Sequence, residues 1–210
     1  MTEAVIVATA RSPIGRANKG SLVDLRPDDM SAQILKALME KAPQVQASDV
    51  NDLMWGIGQP AGEGGFNIAR VISILAGFED IPGVTVNRYC SSSLQTIRMA
   101  FHAIKAGEGD CFIAGGVETV SRYMSGASDS APNPIFKGPG ERTKARAGGG
   151  QGTWTPPEGL PDVYIAMGQT AENVVELEGI SREEMDRFGV RSQNLACEFI
   201  EKGTAVHRRP

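Results

Sequence analysis

Residues 83–116 read GVTVNRYCSSSLQTIRMAFHAIKAGEGDCFIAGG, and the fold class follows from how this stretch divides. The β-branched run GVTVN (83–87) predicts a strand, SSLQTIRMAFHAIKAG (92–107) a helix, and DCFIAGG (110–116) a further buried strand. Within the helix, Leu94, Ile97, Phe101 and Ile104 recur at three- and four-residue intervals, which predicts one buried face. Strands alternating with helices imply βαβ units and a largely parallel sheet. Cys90 falls at the turn from strand to helix.

The flanking sequence extends the alternation. AVIVA (4–8) predicts a first strand, ended by the polar TARSPIGR. DDMSAQILKALMEKA (28–42) predicts a helix, with Met30, Ile34, Ala37, Leu38 and the stem of Lys41 on one face. Its first turn holds Asp28 and Asp29, where the helix dipole favours negative charge. DVNDLMWGIGQ (49–59) predicts a second strand, and the glycines of GQPAGEGGFNIAR (58–70) predict a loop. A short helix follows, carrying Ile68, Val71, Ile72 and Leu75 and ended by Gly77. The class is therefore α/β, with helices flanking the sheet.

Beyond about residue 122 the composition changes. SGASDSAPNPIFKGPGERTKARAGGGQGTWTPPEG (125–159) is rich in Gly, Pro and charge without periodicity, which predicts a long loop. Its basic residues Lys137, Arg142, Lys144 and Arg146 read as a solvated group. Order resumes with two helices from YIAMGQTAENVVELEGI (164–180) onward, the second preceded by a capping box of Ser181 and Glu184. The expected division is an α/β core over 1–122 and a second segment over 123–210.

Composition excludes several function classes. The 210 residues are 41% hydrophobic and carry a net charge of −4, with basic residues scattered, so neither a nucleic acid nor an anionic membrane surface is an expected partner. No run reaches the roughly 18 apolar residues of a membrane span, and the start lacks a signal-peptide layout. The three cysteines, Cys90, Cys111 and Cys197, are widely spaced, with no C-x-x-C pair and no histidine nearby, which argues against a disulfide scaffold and against a metal site. The expectation is a soluble, cytoplasmic protein of a reducing compartment.

Cys90 has two readings. A cysteine can be a small buried side chain. At a strand-to-helix turn, however, unpaired N–H groups and the helix dipole favour a thiolate, and the same groups can hold an oxyanion forming on an attacked carbonyl. Ser91, Ser92 and Ser93 read as helix-start residues that satisfy N–H groups. Cys111 and Cys197 are expected in the core. His102, twelve residues past Cys90 and about three helical turns away, cannot reach the thiol from the same helix, and His207 sits in the tail.

Five separated motifs resemble those of the thiolases, the acetyl-CoA acetyltransferases and 3-ketoacyl-CoA thiolases. They are ARSPIG (10–15), FNIAR (66–70), TVNRYCSSSLQT (85–96), AGGVETVSR (114–122), and MGQTAENV (167–174) with ISREEMDRFGVRSQNLA (180–196). The resemblance implies two similar βαβαβαββ halves in a five-layered α/β sandwich, of which this chain is similar to the N-terminal half, with a mixed βαβαβ sheet and part of the loop domain. It implies that Cys90 is acylated by an acyl-CoA, and that the acyl group passes to CoA or to a second acetyl-CoA. Leu160 and Met167 match positions lining the acyl and pantetheine tunnel. Acyl-CoA and CoA are the implied substrates, with no cofactor, and the implied complete enzyme is a homo-oligomer, a dimer or tetramer. The basic group could also approach the CoA phosphates.

The chain departs from the family pattern in two ways. Ser93 stands where the family usually has Gly, and its Cβ is expected to crowd the helix approach. The family's Asn-Glu-Ala-Phe, Gly-His-Pro and Cys-x-Gly segments, which supply the activating histidine and a second catalytic cysteine, do not occur in these 210 residues. Weak or no activity of the isolated chain is therefore expected. The alternatives are a non-catalytic assembly module and a ketosynthase-like condensing enzyme, the latter disfavoured by MGQTAEN.

Overall fold

The computed structural model describes residues 3–122, 133–148 and 158–202. Two compact units divide the chain, Met1–Ser128 with Arg209–Pro210, and Asp129–Arg208. The first contains α1 (Pro27–Lys41), β1 (Asp52–Gly56), α2 (Ile68–Leu75), β2 (Gly83–Val86), α3 (Ser92–Ala106) and β3 (Phe112–Gly116). The sheet runs β2-β1-β3 and its three strands are parallel. In register, Leu53 faces Gly83 and Ile113, and Trp55 faces Thr85 and Gly115.

Side chains alternate across a strand, so β1 feeds two cores. Leu53, Trp55 and Ile113 pack with Ala32 and Leu35 of α1 and Ile68, Ala69 and Ile72 of α2. Met54 lies on the opposite face with Ala100 and Ala103 of α3, flanked by Val84, Phe112 and Ala114. This makes three layers, a parallel sheet flanked by helices, in line with the α/β reading of the sequence.

Three features of this unit differ from expectation. The run AVIVA forms no strand, and Val5, Ile6 and Val7 are exposed. Among the described residues no backbone hydrogen bond joins this run to β3, whose outer edge is unpaired, so the ladder that would make it a strand is missing. On α3 the buried stripe is Ser92, Thr96, Ala100 and Ala103, whereas Leu94 and Phe101 of the predicted face are 68% and 45% exposed. The cause is close approach: a Cβ on Gly56 would lie 2.6 Å from the Ser92 carbonyl carbon and 2.7 Å from the Ser93 nitrogen, so only small side chains fit between helix and sheet. On α1 the buried residues are Pro27, Asp28, Ser31, Ala32 and Leu35 rather than Ile34, Ala37 and Leu38. The displaced apolar stripes share one destination. Met30, Ile34 and Leu38 of α1 and Ile97, Phe101 and Ile104 of α3 line a cleft of about 740 Å³, walled by the 4–16 run and by β3.

The second unit contains α4 (Lys137–Ala147), α5 (Met167–Glu178) and α6 (Arg182–Glu201). α4 falls where the sequence predicts a loop. Pro139 is tolerated in its first turn, the ERTKARA segment is made of good helix formers apart from Thr143, and Lys137 pairs with Glu141 at 3.9 Å. Arg146 turns inward to Glu176 (2.5 Å) and to the side-chain oxygen of Asn173, so the basic residues are not a uniformly solvated group. The capping box before α6 forms: the Glu184 N–H donates to Ser181 Oγ (3.2 Å) and the Ser181 N–H to Glu184 Oε2 (2.9 Å). The parts of the predicted loop at 123–132 and 149–157, and the tail with His207, lie outside the described residues.

Candidate active site

In open parallel sheets, ligands meet the fold at the carboxyl ends of the strands. Here those ends are tied together, because the Ile57 N–H donates to the Val86 carbonyl (3.0 Å) and the Val117 N–H to the Gly56 carbonyl (2.9 Å). Beyond β2, residues Tyr89–Ser91 form a single 3-10 turn that runs directly into α3. Cys90 occupies this turn and is exposed, so it is not a core side chain.

Local bonds fix the turn. The Tyr89 N–H donates to Asn87 Oδ1 (2.8 Å), and Tyr89 adopts a left-handed backbone with φ of 45°. The Ser92 hydroxyl accepts from the Arg88 N–H (2.8 Å) and donates to the Tyr89 carbonyl (2.6 Å). Thr96 Oγ1 donates to the carbonyls of Ser93 (2.7 Å) and Gly115 (3.1 Å), which fastens the start of α3 to β3. The expectation that the serines satisfy N–H groups at the helix start therefore holds for Ser92, which accepts from the Arg88 N–H, and not for the N-cap Ser91. Ser91, at the N-cap, makes no side-chain cap bond, and Ser92 bonds backward into the turn. Ser93 is accommodated, since the residue it meets on β3 is Gly116, where a Cβ would collide with the Ser93 hydroxyl.

One polar group on this rim has no role in the sequence reading. Glu118, just past β3, accepts from the Gly58 N–H at 2.8 Å, and a Cβ on Gly58 would lie 3.5 Å from the Tyr89 carbonyl. A carboxylate two residues beyond a Gly-Gly strand end is the signal that could have found it. The loops behind the rim are held by ion pairs. Glu63 accepts from Arg122 Nε (2.6 Å) and Nη2 (2.5 Å) and from Arg26 Nη1 (3.0 Å), while Arg26 Nη2 also reaches Asp28 (2.7 Å). The Arg122 hydrogen bonds, opposed by burial and helped by the Arg26 charge, hold the Glu63 carboxyl below its usual range. Burial pushes Asp28 up, but its bonds to Arg26 and to backbone N–H groups outweigh that and hold it low.

The remaining candidates are placed as follows. Leu160 and Met167 belong to the second unit and are both exposed; the Leu160 carbonyl accepts from Arg142 (3.0 Å), and Met167 opens α5. Cys197 is exposed on α6, which corrects its assignment to the core. Cys111 is half-buried against the core, and burial, with the Asp49 charge, pushes its thiol up. His102 is exposed on α3, edge-on to Phe101 at 5.4 Å. Among the described residues no group of histidine, cysteine and carboxylate side chains could hold a metal ion, and no helix is long and apolar enough to cross a membrane.

A family profile described as Thiolase, N-terminal domain, matches residues 4–205. The chain is 39% identical over 204 residues to a 3-ketoacyl-CoA thiolase of Bacillus subtilis (strain 168), covering 97% of this chain and 47% of that protein. It is 40% identical over 198 residues to a 3-ketoacyl-CoA thiolase of Shewanella frigidimarina (strain NCIMB 400), covering 93% of this chain and 46% of the relative. A β-ketoadipyl-CoA thiolase of Pseudomonas knackmussii is 40% identical over 200 residues, covering 92% and 47%. The chain thus spans about half the length of the curated relatives it matches.

Proposed function

Because this chain belongs to the thiolase family, as its N-terminal domain, we propose that Cys90 is the nucleophile of acyl transfer between CoA thioesters. The observation that carries this reading is an exposed cysteine in a bonded turn, at the carboxyl edge of a parallel sheet and at the start of a 15-residue helix. In thiolysis the Cys90 thiolate attacks the 3-oxo carbonyl of a 3-oxoacyl-CoA, a C–S bond forms, and the tetrahedral oxyanion collapses with cleavage of the C2–C3 bond, the departing enolate taking up a proton to leave as acetyl-CoA. N–H groups at the start of α3 are suited to that oxyanion. The acyl group then passes from Cys90 to the thiol of CoA, which completes thiolysis; in condensation Cys90 instead attacks the thioester carbonyl of acetyl-CoA with loss of the CoA thiolate, and the acetyl group passes to the deprotonated C2 of a second acetyl-CoA, returning Cys90. Relatives named for 3-ketoacyl and β-ketoadipyl substrates support a 3-oxoacyl-CoA as the thiolysis substrate. The reading needs no cofactor, assigns Leu160 and Met167 to the acyl and pantetheine path, takes residues from 123 on as the beginning of the loop domain, and sets the reaction in the cytoplasm.

The activating histidine and second cysteine that the family resemblance implies are not among these 210 residues. The chain by itself is therefore expected to acylate slowly and to turn over poorly. Intact mass after incubation with acetyl-CoA tests the nucleophile: one acetyl group on Cys90, absent in Cys90→Ala, supports it, and acetylation spread equally over the three cysteines refutes it. Rapid turnover of acetoacetyl-CoA by the 210-residue chain would refute the expected weakness.

A second reading has its own observation. Leu94, Ile97 and Phe101 on α3 and Val5, Ile6 and Val7 on the N-terminal run are exposed apolar residues, and exposed apolar patches with an unpaired strand edge favour association. We infer that the chain also assembles, with itself or a partner, through this side. Light scattering coupled to size exclusion tests it, and a clean monomer at high concentration argues against it.

A further inference from the structure

Ser92 lies directly under the turn that carries Cys90, and it is 3% exposed. Its hydroxyl reaches back to both ends of the Arg88–Tyr89 pair, accepting from the Arg88 N–H at 2.8 Å and donating to the Tyr89 carbonyl at 2.6 Å. The same carbonyl accepts the Ser92 backbone N–H. Between these bonds Tyr89 is held at φ of 45°, a left-handed conformation that a bulky residue adopts only when its surroundings impose it. Asn87 Oδ1 adds a third restraint on the Tyr89 N–H. Cys90 is the next residue, so the direction in which its side chain leaves the fold depends on the Tyr89 backbone. Gly56 makes the arrangement possible, since a Cβ there would lie 2.9 Å from the Ser92 Cβ.

We propose that Ser92 is the positioning residue of the nucleophile: its buried hydroxyl clamps Tyr89 in the left-handed conformation and so presents Cys90 outward at the start of α3. This rests on the reading of Cys90 as the nucleophile. The role differs from ordinary helix capping, because the hydroxyl bonds to the turn before the helix. Removing the hydroxyl lets Tyr89 relax to negative φ and turns Cys90 away. Glycine has no preference against positive φ, so Tyr89→Gly removes the need for the clamp.

The test is alkylation of the full chain by iodoacetamide, with the rates at Cys90 and at the exposed Cys197 read from peptide masses and folding followed by circular dichroism. In the wild type Cys90 reacts faster than Cys197. In Ser92→Ala the Cys90-to-Cys197 ratio falls by about fivefold or more with the helical signal intact, and in Tyr89→Gly/Ser92→Ala at least part of the loss returns. An unchanged ratio in folded Ser92→Ala overturns the proposal, as does a loss that Tyr89→Gly does not recover. A Ser92→Ala chain that loses its helical signal also overturns it, because the hydroxyl then serves the core rather than the turn. If the wild type itself shows no selectivity for Cys90, it is the nucleophile reading that fails.

Discussion

The seam between β1 and α2 and the cleft beside β3 draw on the same kind of sequence and end differently. Leu53 and Ile72 are fully buried at the seam, whereas Ile6, in a run of equal apolar character, is 78% exposed at the cleft. At the seam β1 has a hydrogen-bonded neighbour on each side, and α1 and α2 close its face. At the cleft β3 is paired on one side only, and residues of α1 and α3, from the two faces of the sheet, line the space beside its open edge. Apolar patterning therefore states which surfaces require burial. Whether they obtain it depends on a neighbouring backbone in register, which local sequence does not supply.

The largest expected effect lies at the seam. Leu53→Ala removes a fully buried side chain at the centre of the sheet and is expected to cost about 2–5 kcal/mol in urea unfolding. A loss under about 1 kcal/mol would mean that the looseness of the cleft reaches the core. The cleft side answers in a different measurement. Phe101→Glu introduces a charge on the exposed ridge of α3, so its stability is expected to change by no more than about 1 kcal/mol while association falls toward monomer in light scattering. Association equal to that of the wild type would move the contact surface away from α3.

The third effect is electrostatic. Glu63 is held below its usual carboxylate range, by Arg122 first. A depressed carboxylate contributes stability above its unfolded pKa and loses that contribution as pH falls through the folded value. Glu63→Gln is accordingly expected to cost about 1 kcal/mol at neutral pH, after discounting for partial exposure, and the gap to the wild type should close as the solution is acidified below the ordinary carboxylate range. A gap that persists in acid would assign the loss to packing.

The βαβ order was legible because GVTVN, the α3 segment and DCFIAGG each carry a period of their own, and the structure places all three within a residue or two of the expected bounds. The capping box at Ser181 was legible for the same reason, being a purely local pattern. The buried face of α3 was not. It is set by Gly56 and Gly116 on the neighbouring strands β1 and β3, which draw the helix close and select Ser92, Thr96, Ala100 and Ala103 over the larger side chains. The position of Cys90 could be read from the strand-to-helix turn, but the backward bonds of Ser92 and the left-handed Tyr89 depend on a tertiary approach that no periodicity records.

The smallest effect is the sharpest check on the comparison. Ile6 and Leu53 are both large aliphatic residues, and a reading by hydrophobicity alone predicts similar costs for truncating either. The structure predicts otherwise: Ile6→Ser removes a side chain that is already mostly in water, and its cost should stay within about 0.5 kcal/mol. Because the 4–10 run shares no backbone hydrogen bond with β3, its amides should also exchange with solvent far faster than those of Met54 and Trp55 in β1. Slow exchange at Val5–Val7 together with a loss of about 2 kcal/mol in Ile6→Ser would show that the run closes onto β3 in solution, and the two sides of the sheet would then be alike.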